Sequence, residues 1–149
     1  MGQVAFYQLR TTALEKALPK LLEKAVAKGM RALVVAGSEE RAASLDAALW
    51  TYDNGSFLPH GRPQDGAPED QPVLVTTELA NLNNAPLLVT LDGIDIPDVD
   101  AFERCVDMFD GRVEAERAAA RARWRARADQ GHEVTYYEQT EDGRWEKRG

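Results

Sequence analysis

Apolar residues fall along this 149-residue chain in short runs separated by stretches with helical spacing, and that alternation predicts its architecture. Val4 to Leu9 is β-branched and aromatic, the composition of a first strand. Thr11 or Thr12 is placed to cap a following helix, and Glu15, three residues after Thr12, completes a capping-box pattern. Leu14, Ala17, Leu18, Leu21, Leu22 and Val26 recur on one helical face until Gly29 ends the run. Pro19 lies inside that pattern and predicts a kink or a late start. Ala32 to Ala36 is uniformly apolar, as expected of a strand covered on both faces. Gly37-Ser38 then opens a second helix from Glu39 to Trp50, with Ala42, Leu45, Ala48 and Leu49 turned inward. Strand, helix, strand, helix in this order predicts a βαβ unit and a parallel sheet, hence an α/β fold.

Residues 51 to 71 read as loop, punctuated by Gly55, Pro59, Gly61, Pro63, Gly66 and Pro68. Val73 to Thr77 and Leu87 to Leu91 suit interior strands, and Pro97 to Phe102 one turn of helix. Arg104 to Phe109 fits either helix or strand by itself. Gly111 follows it, and a long alanine- and arginine-rich helix starts at Arg112 or Val113, which favours the strand. That helix is expected to reach about Gln130, with Gly131 as its C-cap. His132 to Gln139 reads as a late strand, and Asp142-Gly143 as a turn before Arg144-Trp145-Glu146. Neither a repeat nor a linker interrupts the pattern, so residues 1–149 are expected to form a single domain.

Composition changes little in this picture: 44% hydrophobic and 29% charged residues are ordinary for a globular chain. One cysteine, Cys105, excludes an intramolecular disulfide framework, and its apolar neighbours predict a buried thiol. Met1-Gly2-Gln3 leads directly into the first strand without a signal-peptide pattern, so a reducing, cytoplasmic location is expected. Charge matters more. The net charge is −7, which argues against nonspecific nucleic-acid binding over the whole surface. It is unevenly distributed: Asp92, Asp95, Asp98, Asp100, Glu103, Asp107 and Asp110 crowd one stretch, read as a solvated rim or a partner-repelling face. Six arginines follow between Arg112 and Arg127, against Glu114 and Glu116. An acidic protein with one basic helix is suited to an acidic partner held locally.

A catalytic constellation is not apparent. The first strand-to-helix turn, Gln8 to Thr12, has no glycine, and the second places Glu39 and Glu40 where a phosphate would sit. No dinucleotide fingerprint or phosphate-cradling Gly-Lys-Ser/Thr pattern occurs. His60 and His132 are the only histidines, too few for a histidine-centred metal site. His60, in a Pro-His-Gly loop, reads as a surface or interface residue, and His132 as a polar packing residue. The carboxylates from Asp92 to Asp110 lack calcium-loop spacing. The expectation is therefore no catalytic residues, no metal and no cofactor; a hydrolase or nucleotide-binding enzyme on the α/β scaffold is the alternative, disfavoured by the absent phosphate loop.

Two constellations point instead to docking. Arg117, Arg121, Trp124, Arg125 and Ala128 share one face of the long helix, so guanidinium groups flank an indole. Guanidinium forks hold carboxylates and the indole supplies apolar area, which suits an acidic peptide carrying hydrophobic residues. Single-stranded nucleic acid could use the same surface through phosphate contacts and stacking, the alternative function carried forward. Spacing leaves open a third reading, in which the arginines are merely solvated and Trp124 is core. The second constellation is Leu45-Asp46-Ala47-Ala48-Leu49-Trp50, followed by Ser56-Phe57-Leu58-Pro59-His60. Large apolar groups here form either a core plug, which composition slightly favours, or an exposed patch for a protein partner.

Taken in order, Phe6-Tyr7, Leu45 to Trp50, Ser56 to His60, Val106-Asp107 with Phe109, Arg121-Ala122-Arg123-Trp124-Arg125 and Gly131 resemble the chi subunit family of bacterial DNA polymerase III. That resemblance implies a Rossmann-like αβα sandwich with a mostly parallel sheet, serving as a non-catalytic adaptor of the clamp-loader complex. It implies that Arg121, Trp124 and Arg125 bind the acidic, phenylalanine-ended C-terminal tail of the single-stranded DNA-binding protein, with Arg117 and Ala128 on the same face. It further implies that Trp50, Phe57, Leu58 and Pro59 face the psi subunit or an equivalent clamp-loader component, and that nucleic acid is contacted only indirectly. Two features depart from the family pattern: Arg127 stands where an aromatic residue can occur, and the tail after Gly131 is longer and more polar.

Overall fold

The computed structural model describes residues 3–52, 58–95 and 99–148. Within them the chain forms β1 (Gln3–Leu9), α1 (Leu14–Ala27), β2 (Ala32–Val35), α2 (Glu39–Thr51), β3 (Val73–Thr76), β4 (Leu87–Thr90), β5 (Arg104–Asp110), α3 (Glu114–Asp129), β6 (Glu133–Gln139) and β7 (Trp145–Lys147). Single 3-10 turns occupy Pro63–Asp65, Pro68–Asp70 and Val99–Ala101. The strands make one sheet in the order β3-β2-β4-β5-β1-β6-β7, with every neighbouring pair parallel except β6 and β7. This is the α/β sandwich that the strand–helix alternation predicted.

The period-two alternation of strand side chains divides the core into two layers. Ala5, Tyr7 and Leu9 of β1 join Val34, Val75, Val89 and Met108 on one face, where α1 lays Leu14, Leu18 and Leu22 and α2 lays Ala42, Leu45 and Leu49. Val4 and Phe6 point the other way, to Leu33, Leu74, Leu88, Cys105 and Phe109, with Ala120 of α3 above them. Cys105 is buried, as its apolar surroundings predicted. Coverage of this second face is thinner: α3 packs over β1, β5 and β6, and Ala85, Val99 and Phe102 from connecting segments complete the layer.

Two local expectations change. Thr12 does not cap α1; its Oγ1 accepts from Gln139 Nε2 at 2.7 Å, and Ala13 takes the N-cap position without a side-chain bond. Pro19 does not delay α1; it lies buried within a helix that runs unbroken from Leu14 to Ala27. Val99–Ala101 forms a turn of helix where one was expected, of the 3-10 type, and Pro97 lies outside the described residues. Ser38 does cap α2, accepting from the Arg41 backbone N–H at 3.1 Å. Gly131, at φ +85°, ends α3 in the left-handed conformation that glycine reaches without strain.

Candidate docking helix and its surroundings

α3 owes its helicity to alanine and arginine, and Glu114 and Glu116 in its first turn complement the helix dipole. Its buried positions are Ala120 and Arg127, with Arg117, Arg123 and Trp124 half-buried. The helix is therefore held less by apolar area than by ions. Arg123 grips Asp107 of β5 with two parallel bonds, Nε to Oδ2 at 2.6 Å and Nη2 to Oδ1 at 3.0 Å. Their side chains are 13% and 8% exposed. Burial pushes the Asp107 carboxyl above its ordinary range, and the bonds and charge of Arg123 oppose that rise. Arg127 pairs with Asp95 and donates to Gln130 Oε1 at 3.1 Å. Arg112 binds Asp110 at 2.9 Å, and Arg117 donates to the Gly111 carbonyl at 3.0 Å.

These pairings divide the six arginines into those held by the fold and those left outward. Of the six arginines, Arg121 and Arg125 are exposed and form no hydrogen bond or ion pair among the described residues. Trp124 lies between them in sequence, packed on the second core layer with part of its ring exposed. Its buried Nε1 finds no acceptor among the described residues. Ala128 is exposed on the same helix. The predicted group thus sits together, although Arg117 is tied back to Gly111 and less available than Arg121 and Arg125.

Sequence reasoning missed the clamps. The stretch from Asp92 to Asp110 is not a uniformly solvated rim, because Asp107 is buried, Asp95 engages Arg127, and Asp92 engages Arg41 at 3.1 Å. A signal was present: Ala120, Arg123 and Arg127 fall at i, i+3 and i+7 and so share the inward face. Arginine on an inward stripe demands a buried acid, and β5 supplies one.

The second predicted face is split. Trp50, near the end of α2, is 58% exposed, whereas Leu58 is 2% exposed and belongs to the first core layer. Pro59 is half-buried, and Phe57 lies outside the described residues. His60, expected at the surface or an interface, is buried within the chain itself. Gly61 bonds to Val73 and Val75 of β3, and this draws His60 in against α2. There its Nδ1 lies 2.8 Å from the Leu58 carbonyl and its Nε2 3.3 Å from an Asp46 oxygen, while its ring meets that of Trp50 at 4.9 Å.

A small cleft of about 170 Å³ opens at the C-terminal ends of β1 and β5, where the chain departs to opposite faces of the sheet. Such switch points are ligand sites in many α/β proteins. Here the guanidiniums of the cleft are committed to its own acids: Arg41 to Glu15 at 3.0 Å and to Asp92, Arg112 to Asp110. Among the described residues no group of three or more potential ligands could hold a metal ion, and no helix is long and apolar enough to cross a membrane.

Fold and surface together define an α/β domain whose distinctive outer feature is a basic helix, clamped inward by acids and open outward at two arginines. Residues 1–135 match the family described as the DNA polymerase III chi subunit, HolC, and the chain belongs to that family. A relative from Rickettsia prowazekii (strain Madrid E), described as a probable DNA polymerase III subunit chi, is 30% identical over 109 residues. That alignment covers 73% of this chain and 66% of the relative, just under two thirds of its length. Most of β6 and all of β7 lie beyond the residues that match the family.

Proposed function

We propose that this chain is a non-catalytic adaptor of the replication machinery, using the outer face of α3 to capture the acidic C-terminal tail of the single-stranded DNA-binding protein. The observation that carries this reading is the pair of exposed, uncommitted guanidiniums at Arg121 and Arg125 on the same helix as the partly exposed Trp124. Two guanidiniums can hold carboxylates of an acidic peptide, and Trp124 gives an aromatic side chain somewhere to rest. Membership of the chi family supplies the biological context, with the Trp50–Pro59 region as the face for a psi subunit or equivalent clamp-loader component. Trp50 and Pro59 would touch that partner, with Leu58 supporting them from the core. Binding nucleic acid through a second protein also accords with the net charge of −7.

Calorimetric titration with an acidic peptide ending in phenylalanine tests the reading. Arg125→Ala is expected to weaken binding about tenfold with an unchanged thermal melt, and added salt to weaken the wild-type complex, because both ions are exposed to screening. Trp124→Ala is expected to weaken it similarly. Unchanged peptide affinity in both variants would sink the assignment.

A further inference from the structure

Charge alone cannot select an aromatic-ended peptide. The exposed alanines on the outside of α3, Ala118, Ala119, Ala122 and Ala126, offer little apolar area. Among the described residues, the large, partly exposed rings packed against this side of the sheet are Trp124 and Tyr136. Tyr136 stands on β6, one residue past the stretch that matches the family. Its ring lies 6.2 Å from that of Phe109, tilted by 58°.

Tyr136 is braced in place. Its hydroxyl donates to Gln8 Oε1. Gln8, 8% exposed, is pressed so closely on Gly111 that a Cβ there would come within 2.3 Å of Gln8 Cγ. The Gly111 carbonyl accepts from Arg117, so one chain of contacts joins β6, β1, the β5–α3 turn and α3 itself. The positive charges of Arg121 and Arg117 also reach the Tyr136 hydroxyl, opposing the upward push of burial and Glu138 on its pKa. A ring fixed before binding loses little side-chain freedom on contact, which favours selectivity.

We propose that Tyr136 is a specificity-determining residue of the α3 site, forming with Trp124 the apolar wall that receives the aromatic end of an acidic peptide beside Arg121. This rests on the reading of α3 as a peptide-docking helix. Arg121 and Arg125 supply attraction to any acidic chain, and Tyr136 supplies preference for one that ends in an aromatic residue.

The test compares two acidic peptides, one ending in phenylalanine and one identical but lacking that residue, by calorimetry. Wild-type protein should prefer the first. Tyr136→Ala should reduce that preference about two- to tenfold. Tyr136→Leu keeps apolar bulk in the core layer, guarding against loss of fold, and should reduce the preference by at least about twofold. Full preference in folded variants overturns the role of Tyr136. If Arg125→Ala still weakens binding in that case, only Tyr136 is at fault. Should the wild-type protein bind neither peptide, the docking reading itself falls and takes this one with it.

Discussion

Single carboxylates near arginines behave in opposite ways here, and burial decides which. Asp110 is held below the ordinary carboxylate range chiefly by its hydrogen bond from Arg112. Its ion pair therefore contributes stability above about pH 4, and that contribution is lost as pH falls through the depressed value. Asp107 is pushed up because burial outweighs its bonds to Arg123. The native state takes up that proton before the unfolded chain does, so its contribution grows on acidification. Asp110→Asn should accordingly lower stability slightly at about pH 7, by under about 1 kcal/mol for so exposed a pair, and the deficit should shrink as pH falls below the ordinary carboxylate range. Melting curves across that range check it; a deficit of constant size would show that the effect is not ionic.

At the level of the element, α3 is unusual in being anchored by ion pairs more than by apolar burial. Its fully buried apolar residue is Ala120, while Arg123 and Arg127 reach inward to Asp107 and Asp95. Alanine holds the helix close to the sheet, which lets the arginines reach their acids. Breaking a buried pair leaves a charge stranded, so Arg123→Ala should cost about 3–5 kcal/mol in chemical denaturation. Arg121→Ala, two residues away on the solvent side, should stay within about 0.5 kcal/mol. Equal losses would mean that the two faces of the helix are not divided as described. The clamps fix the rotation of α3 and so determine which arginines face outward.

Across the whole molecule, the charge asymmetry of the sequence is largely an internal affair. Asp110, Asp107 and Asp95 pair with Arg112, Arg123 and Arg127, and the arginines left outward without an acid among the described residues are Arg121 and Arg125, on a protein of net charge −7. The fold was legible beforehand: short apolar runs and helical stripes report burial directly, and the strands and helices stand where those patterns lie. The site was legible only in part. Helical spacing placed Arg121, Trp124 and Arg125 on one side, but charge counts could not tell which arginines were spoken for, since Asp107 and Asp95 come to α3 through tertiary packing. His60 and Tyr136 were misjudged or passed over for a similar reason. A Pro-His-Gly loop looks exposed until Gly61 joins β3, and a tyrosine in a late strand gains meaning only once Gln8 and Gly111 brace it. The central claim, that the outer face of α3 recognises an acidic chain, is tested most directly by exchanging charge across the contact. Arg125→Glu should abolish calorimetric binding of the acidic, phenylalanine-ended peptide, and a peptide with one acidic residue replaced by lysine should recover part of it against that variant alone. Undiminished binding of the acidic peptide to Arg125→Glu would contradict the account.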